Sequence, residues 1–188
     1  HRGVDTTRAR AALLEPRAPG LIDAAGRRPR AVGLRCGMPE VGSPVPEVTF
    51  AGPEGPVRLR DLIGARAVVL YFYPKDETPG CTAQACAFRD QYQDFVDAGA
   101  DVVGVSGDDA GSHAKFKQHH RLPFTLLTDP GGAAAKAMGV KKSLGLLAGR
   151  VTFVIDRGGV VRLRFDSQLQ ARKHIAQALA VVKQLAPA

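Results

Sequence analysis

The stretch Ala67-Val68-Val69-Leu70-Tyr71-Phe72-Tyr73-Pro74-Lys75-Asp76-Glu77-Thr78-Pro79-Gly80-Cys81-Thr82-Ala83-Gln84-Ala85-Cys86 decides the architecture. Residues 67–73 are apolar or aromatic on both alternating faces, as in a strand covered by protein on both sides of a sheet. Pro74 removes a ladder donor and ends the strand. Lys75, Asp76 and Glu77 read as solvated loop charges. A helix is predicted from about Cys81 to Ala98, because Ala85, Phe88, Tyr92, Phe95 and Val96 recur at helical spacing and Gly99 suits a helix end. A buried strand therefore delivers a cysteine to a helix N-terminus. Unpaired N–H groups and the helix dipole there favour the thiolate, which is the nucleophilic form.

Outward from this stretch, the pattern keeps alternating. Asp101–Ser106 and Phe124–Leu127 read as strands, separated by a helix that Asp108 or Asp109 caps and that runs through His120. Asp129-Pro130-Gly131-Gly132 turns into a short helix ending at Met138. Val151–Ile155 and Val160–Phe165 flank Asp156-Arg157-Gly158-Gly159, a hairpin signal. Residues 170–185 form a final amphipathic helix, with Ile175, Leu179, Val182 and Leu185 on one side. On the N-terminal side, residues 45–50 are extended, Val57–Leu59 alternates like a strand, and residues 61–64 make a helical turn. The order predicts an α/β fold in which helices flank a central mixed β-sheet.

Composition narrows the function. The chain has 188 residues and a net charge of +8. Residues 1–35 alone hold eight Arg against Asp5, Glu15 and Asp23, a balance of +5, so the charge belongs mostly to that end. A nucleic-acid-binding module would rest on charge alone, and none is expected. No apolar run approaches the ~18 residues of a membrane span. Residues 1–40 are Arg-rich, poor in acids and broken by Pro and Gly, the composition of an organelle transit peptide, and residues 41–188 are expected to form the domain. The alternative for residues 1–40 is a basic terminus without a targeting role. Cys36 falls in that segment and has no expected role. His113, His119, His120 and His174 lack a ligand spacing, and no phosphate loop is present, so neither metal nor cofactor is expected.

Two cysteines remain, Cys81 and Cys86. On a regular helix, positions five apart differ by about 140° and about 7.5 Å of rise, which puts their Cα atoms roughly 8–9 Å apart. A disulfide needs less than about 7 Å. Either Cys86 is a core residue that is never oxidised, or the helix unwinds when the two cysteines pair.

The segment resembles the active-site motif Pro-x-x-x-Thr-x-x-Cys of peroxiredoxins, filled by Pro74, Thr78 and Cys81. With Cys86 and Ala87-Phe88-Arg89-Asp90 it is similar to peroxiredoxin Q, also called bacterioferritin comigratory protein. Further blocks agree in order and spacing: residues 103–109, 122–127 and 149–156. The likeness runs from about Val41 to Leu185. It implies a thioredoxin-like fold and a monomeric, thioredoxin-dependent peroxidase that reduces hydrogen peroxide and organic hydroperoxides. Cys81 would be the peroxidatic nucleophile and Cys86 would close a Cys81–Cys86 disulfide. Thr78 would hydrogen-bond thiolate and peroxide, Pro74 would shield the site, and Arg150 would bring a guanidinium to the sulfur. Plant-type members act in the chloroplast, in keeping with the Arg-rich leader; a thylakoid-associated or lumenal position would rest on the resemblance alone. The alternative activity is that of a thioredoxin-like protein disulfide oxidoreductase, although thioredoxins use Cys-x-x-Cys and four residues intervene here.

Overall fold

The computed structural model describes residues 38–143 and 147–186. The basic segment predicted for residues 1–40 therefore lies outside the described residues, apart from 38–40, and so does Cys36.

The predicted mixed sheet is present. Strands β1 (Thr49–Gly52), β2 (Gly55–Arg58), β3 (Ala67–Phe72), β4 (Ala100–Ser106), β5 (Thr125–Thr128), β8 (Val151–Ile155) and β9 (Val161–Asp166) form one sheet in the order β2-β1-β5-β4-β3-β8-β9. The strands β3, β4 and β5 are parallel, whereas β8 runs antiparallel to β3 and β9 to β8. A separate two-stranded ribbon, β6 (Lys142–Ser143) with β7 (Leu147–Ala148), was not legible in the sequence. Every residue of β3 is buried, as a strand covered on both faces must be.

Alternation along β3 divides the core. Val69, Tyr71 and Tyr73 face one layer with α2 (Pro79–Asp90), α3 (Tyr92–Asp97), α4 (Ala110–His120) and α6 (Ala171–Leu185). Val68, Leu70 and Phe72 face the other, with α1 (Leu59–Leu62) and α5 (Ala133–Ala137). Tyr71 stacks on Phe88 of α2 with ring centroids 4.6 Å apart. Its ring also lies against Gly104 of β4, where a Cβ would meet the Tyr71 hydroxyl at 2.7 Å, so this register position requires glycine. Fully burying a large apolar side chain is worth about 1.5–3 kcal/mol, and Phe88, Phe95, Phe116 and Phe153 are all at 0 % exposure.

Two expectations need correction. The helix predicted from Cys81 to Ala98 starts two residues earlier and is broken at Gln91, whose ψ of 13° leaves the helical range. The apolar spacing runs straight through the break, so periodicity could not reveal it. After the break, Phe95 returns to the core against Phe88 at 5.8 Å, and Tyr92 leans on Phe124 at 6.1 Å. Asp76, read as a solvated loop charge, is buried. The cover comes from α4, whose Ser112 and His113 reach the carboxylate from 36 and 37 residues away.

Candidate active site

The turn into α2 builds the site. Thr78 is the N-cap, with extended backbone at φ −81° and ψ 144°, and Pro79 takes the first helical position, where a missing N–H costs nothing. The first intrahelical bond runs from the Thr82 N–H to the Thr78 carbonyl at 2.8 Å. No side chain caps this end. The N–H groups of Gly80 and Cys81 are thus among the orphan donors of the helix start. Cys81 lies one turn in and is 1 % exposed, packed in the layer that holds Tyr71 and Phe88.

Arg150 reaches this point from the far end of the chain because of strand register. In the antiparallel pair, Val151 lies opposite Phe72. The residue before β8 therefore sits beside the residues that follow β3. The buried guanidinium donates through Nη1 to the Gly80 carbonyl at 2.9 Å and to Gln84 Oε1 at 2.7 Å, and through Nη2 to Cys81 Sγ at 3.6 Å. Gly80 permits the approach: a Cβ there would lie 3.0 Å from Nη2. Gln84 was not singled out in the sequence. Three residues after Cys81 on the same helix face, it was in principle findable by helical spacing.

Three buried polar atoms lack a partner among the described residues: Arg150 Nε, Gln84 Nε2 and Tyr71 Oη. Leaving such a group unpaired costs about 1–3 kcal/mol, and buried orphans call for a reason. Two of the three belong to the side chains that hold the sulfur's surroundings. Burial pushes the Tyr71 phenol well above its ordinary pKa, so the hydroxyl stays protonated.

Thr78 is half-buried and donates its hydroxyl to the Lys75 carbonyl at 3.1 Å. Its proton is committed to the turn and its oxygen lone pairs remain available. Pro74 is half-buried at the head of the loop. It also lines a cleft of about 730 Å³ with Phe72, Ser106, Asp129 and Lys136, on the opposite face of the sheet; neither Cys81 nor Arg150 lines that cleft. Cys86 lies in the same unbroken helix as Cys81 and is half-buried, and neither cysteine is in a disulfide.

A buried network anchors the loop from beneath. The Asp76 carboxylate accepts from Tyr73 Oη at 2.7 Å, Ser112 Oγ at 2.8 Å and His113 Nδ1 at 2.9 Å. The other His113 nitrogen, Nε2, faces the Leu127 carbonyl at 3.2 Å. Both ring nitrogens thus lie within hydrogen-bond distance of an acceptor oxygen. Burial pushes the Asp76 carboxyl up, but the bonds from His113, Tyr73 and Ser112 outweigh it and hold the group below its usual range. His174 is the contrasting case. Its Nε2 donates to the Ser167 carbonyl at 2.9 Å and its Nδ1 accepts from Thr152 Oγ1 at 2.8 Å; burial, with Arg150 nearby, lowers its pKa and keeps it neutral.

Comparison with known proteins identifies the family. Residues 41–164 match the model of the AhpC/TSA family. The chain is 46% identical over 166 residues to the chloroplastic peroxiredoxin Q of Triticum aestivum, covering 88% of this chain and 76% of that one. The crystal structure of peroxidoxin BcpB from Mycobacterium tuberculosis superposes with a TM-score of 0.72 at 36% identity, over 78% of this chain and 98% of that one. A structure of Xanthomonas campestris peroxiredoxin Q gives a TM-score of 0.67 at 31% identity, over 74% and 92%. The chain belongs to the AhpC/TSA family, with the thioredoxin-like peroxiredoxin fold. Within that family it is a thiol peroxidase of the peroxiredoxin Q type, acting on hydroperoxides at the expense of a thiol reductant.

Proposed function

We propose that this thiol peroxidase works through a Cys81 sulfenic acid and a Cys81–Cys86 disulfide that thioredoxin reopens. The observation that carries the reading is the Arg150 guanidinium 3.6 Å from a buried sulfur at an uncapped helix start. The Cys81 thiolate attacks one peroxide oxygen, forming an S–O bond while the O–O bond breaks. The leaving oxygen takes a proton and departs as water or alcohol, and sulfur has lost two electrons. Arg150 faces the charge as it spreads from sulfur to oxygen, where a fixed donor has its largest effect. Thr78 Oγ accepts from the O–H of the peroxide, and Pro74 shields the loop from water. Cys86 then attacks the Cys81 sulfur, water leaves, and the disulfide passes its oxidation to the dithiol of thioredoxin.

With both cysteines in α2, resolution requires the first turns of that helix to unwind. Unwinding breaks the Thr82–Thr78 bond and both Arg150 bonds, to the Gly80 carbonyl and to Gln84. The break at Gln91 confines the change to α2. The cycle closes within one chain, so a monomer suffices. Mass mapping after one equivalent of peroxide is expected to find a Cys81–Cys86 link. Cys81→Ser is expected to abolish turnover, and Cys86→Ser to allow one oxidation without recycling. Steady turnover by Cys81→Ser would sink the scheme.

Residues 1–40 serve, in this reading, as a leader that directs residues 41–188 to the chloroplast. Support comes from their Arg-rich, acid-poor composition and from the chloroplastic relative in Triticum aestivum. A fluorescent fusion of residues 1–40 should enter plastids, and its retention in the cytosol would count against this.

A further inference from the structure

The loop that leads to Cys81 carries a group with no part in the peroxidase chemistry. Glu77 has a φ of 57°, in the left-handed region that a non-glycine residue seldom occupies. Facing it are the last two residues of α4, His119 and His120, just before Arg121 leaves the helix at φ 50°. Adjacent helix positions point about 100° apart, so neighbouring histidines do not ordinarily serve one partner. Here both do. His119 Nδ1 donates to Glu77 Oε1 at 3.1 Å and His120 Nε2 to Oε2 at 2.9 Å. One ligand atom from each of the three residues lies within 4.8 Å of the others, the only such group among the described residues.

Two imidazoles and a carboxylate are a donor set for zinc-like ions. Tetrahedral zinc with N and O ligands at about 2.0–2.2 Å holds its ligand atoms roughly 3.3–3.5 Å apart. The Glu77 to histidine separations need to open by a few tenths of an ångström. The two imidazole nitrogens, which face different oxygens of Glu77 and lie within 4.8 Å of each other, need to close by up to about 1.3 Å, a shift within reach of the exposed His119 and Glu77 side chains. The His119 and Glu77 side chains are 72% and 45% exposed, which leaves a coordination position open to water. Arg89 donates to the His120 carbonyl at 2.9 Å, and its charge is already paired with Asp90 at 2.7 Å. Sequence reading had no access to this group, since Glu77 lies 42 and 43 residues from the histidines.

We propose that Glu77, His119 and His120 bind one divalent ion of the zinc class, and that the ion locks the loop before Cys81 to the end of α4 and slows disulfide formation. Glu77 immediately precedes the N-cap of α2, and the loop must move when the first turns of α2 unwind. Two solvent-exposed hydrogen bonds open readily, whereas three metal bonds do not. The locking half rests on the Cys81–Cys86 cycle; the site itself does not.

The test begins with the full chain carrying Cys36→Ser, Cys81→Ser and Cys86→Ser, which removes every thiol ligand. Cobalt(II) titration should give one equivalent with tetrahedral d–d absorption, displaced by zinc. Adding Glu77→Gln or His119→Gln should weaken binding at least tenfold; His119 is so exposed that its replacement spares the fold. No binding, or equal binding by these variants, overturns the site. In the unsubstituted chain, saturating zinc should leave the loss of the Cys81 thiol to peroxide unchanged and slow the Cys81–Cys86 link at least fivefold, as read by quenched alkylation and mass spectrometry. An unchanged link rate, or a zinc effect that persists in His119→Gln, overturns the lock. Cobalt binding at the triad without any Cys81–Cys86 link in metal-free protein would overturn the cycle and the lock together, and leave the site standing.

Discussion

Replacing Arg150 by methionine keeps most of the side chain's bulk at a position only 4% exposed, and removes its charge and all its donors. Two bonds are lost, to the Gly80 carbonyl at 2.9 Å and to Gln84 Oε1 at 2.7 Å, together with the 3.6 Å contact to sulfur. Hydrogen bonds from a charged donor are worth about 1.5–3 kcal/mol each. Against that stands the desolvation of a buried guanidinium, several kcal/mol in scale, with an Nε that has no partner. The two sides nearly cancel, so folding stability should change by no more than about 2 kcal/mol in either direction. Catalysis has no such compensation. Removing a preorganised donor from developing charge costs about 10²–10³ in rate, or roughly 2.7–4 kcal/mol. The chain has no Trp, so the oxidation rate is best measured by competition with a reporter peroxidase for hydrogen peroxide, alongside urea unfolding followed by circular dichroism. A rate within about threefold of wild type, in a protein that unfolds normally, would refute the role assigned to Arg150.

Gly80→Ala places a Cβ 3.0 Å from Arg150 Nη2 and should displace the guanidinium, slowing peroxide reduction while far-ultraviolet circular dichroism stays unchanged; an unaltered rate would mean that the fork does not need its present position. Asp76→Asn removes the buried carboxylate that accepts from Tyr73, Ser112 and His113 and should destabilise the protein by about 3 kcal/mol in urea unfolding; a loss under about 1 kcal/mol would show that the network does not depend on the carboxylate. The folded-state pKa values of Asp76 and Asp156 are depressed, so their stabilisation is complete above the unfolded value of about 3.9 and is lost as pH falls through that value towards the folded ones. Urea midpoints should therefore drop steeply below about pH 4, and a midpoint flat to pH 3 would contradict the assignment.

What the sequence could disclose was local. The alternation of residues 67–73 and the break at Pro74 identify β3, and Pro79-Gly80 before Cys81 identifies the helix start. Features created by distant contacts were hidden or misread. Asp76 looked like loop charge because nothing near it in sequence shows that α4 will cover it. Arg150 came into view only through family resemblance; its reach depends on which residue of β8 faces Phe72, a register that no local pattern specifies. Gln91 breaks a helix whose apolar spacing continues undisturbed. The hydroxyl of Thr78 was expected at the sulfur, and its proton is instead given to the Lys75 carbonyl, a choice set by the turn's own geometry.

The antiparallel placement of β8 also bears on how the protein is made. Cys81 and its guanidinium are 69 residues apart in the chain. At about 5–20 residues per second of synthesis, Cys81 is incorporated roughly 3 to 14 s before Arg150 exists. Until β8 docks on β3, the nascent chain carries Cys81 without its charged neighbour. The proposed nucleophile is therefore completed late, after β3, β4 and β5 and before β9 and α6, and until then the unfinished chain lacks the guanidinium proposed to make Cys81 reactive towards the oxidant.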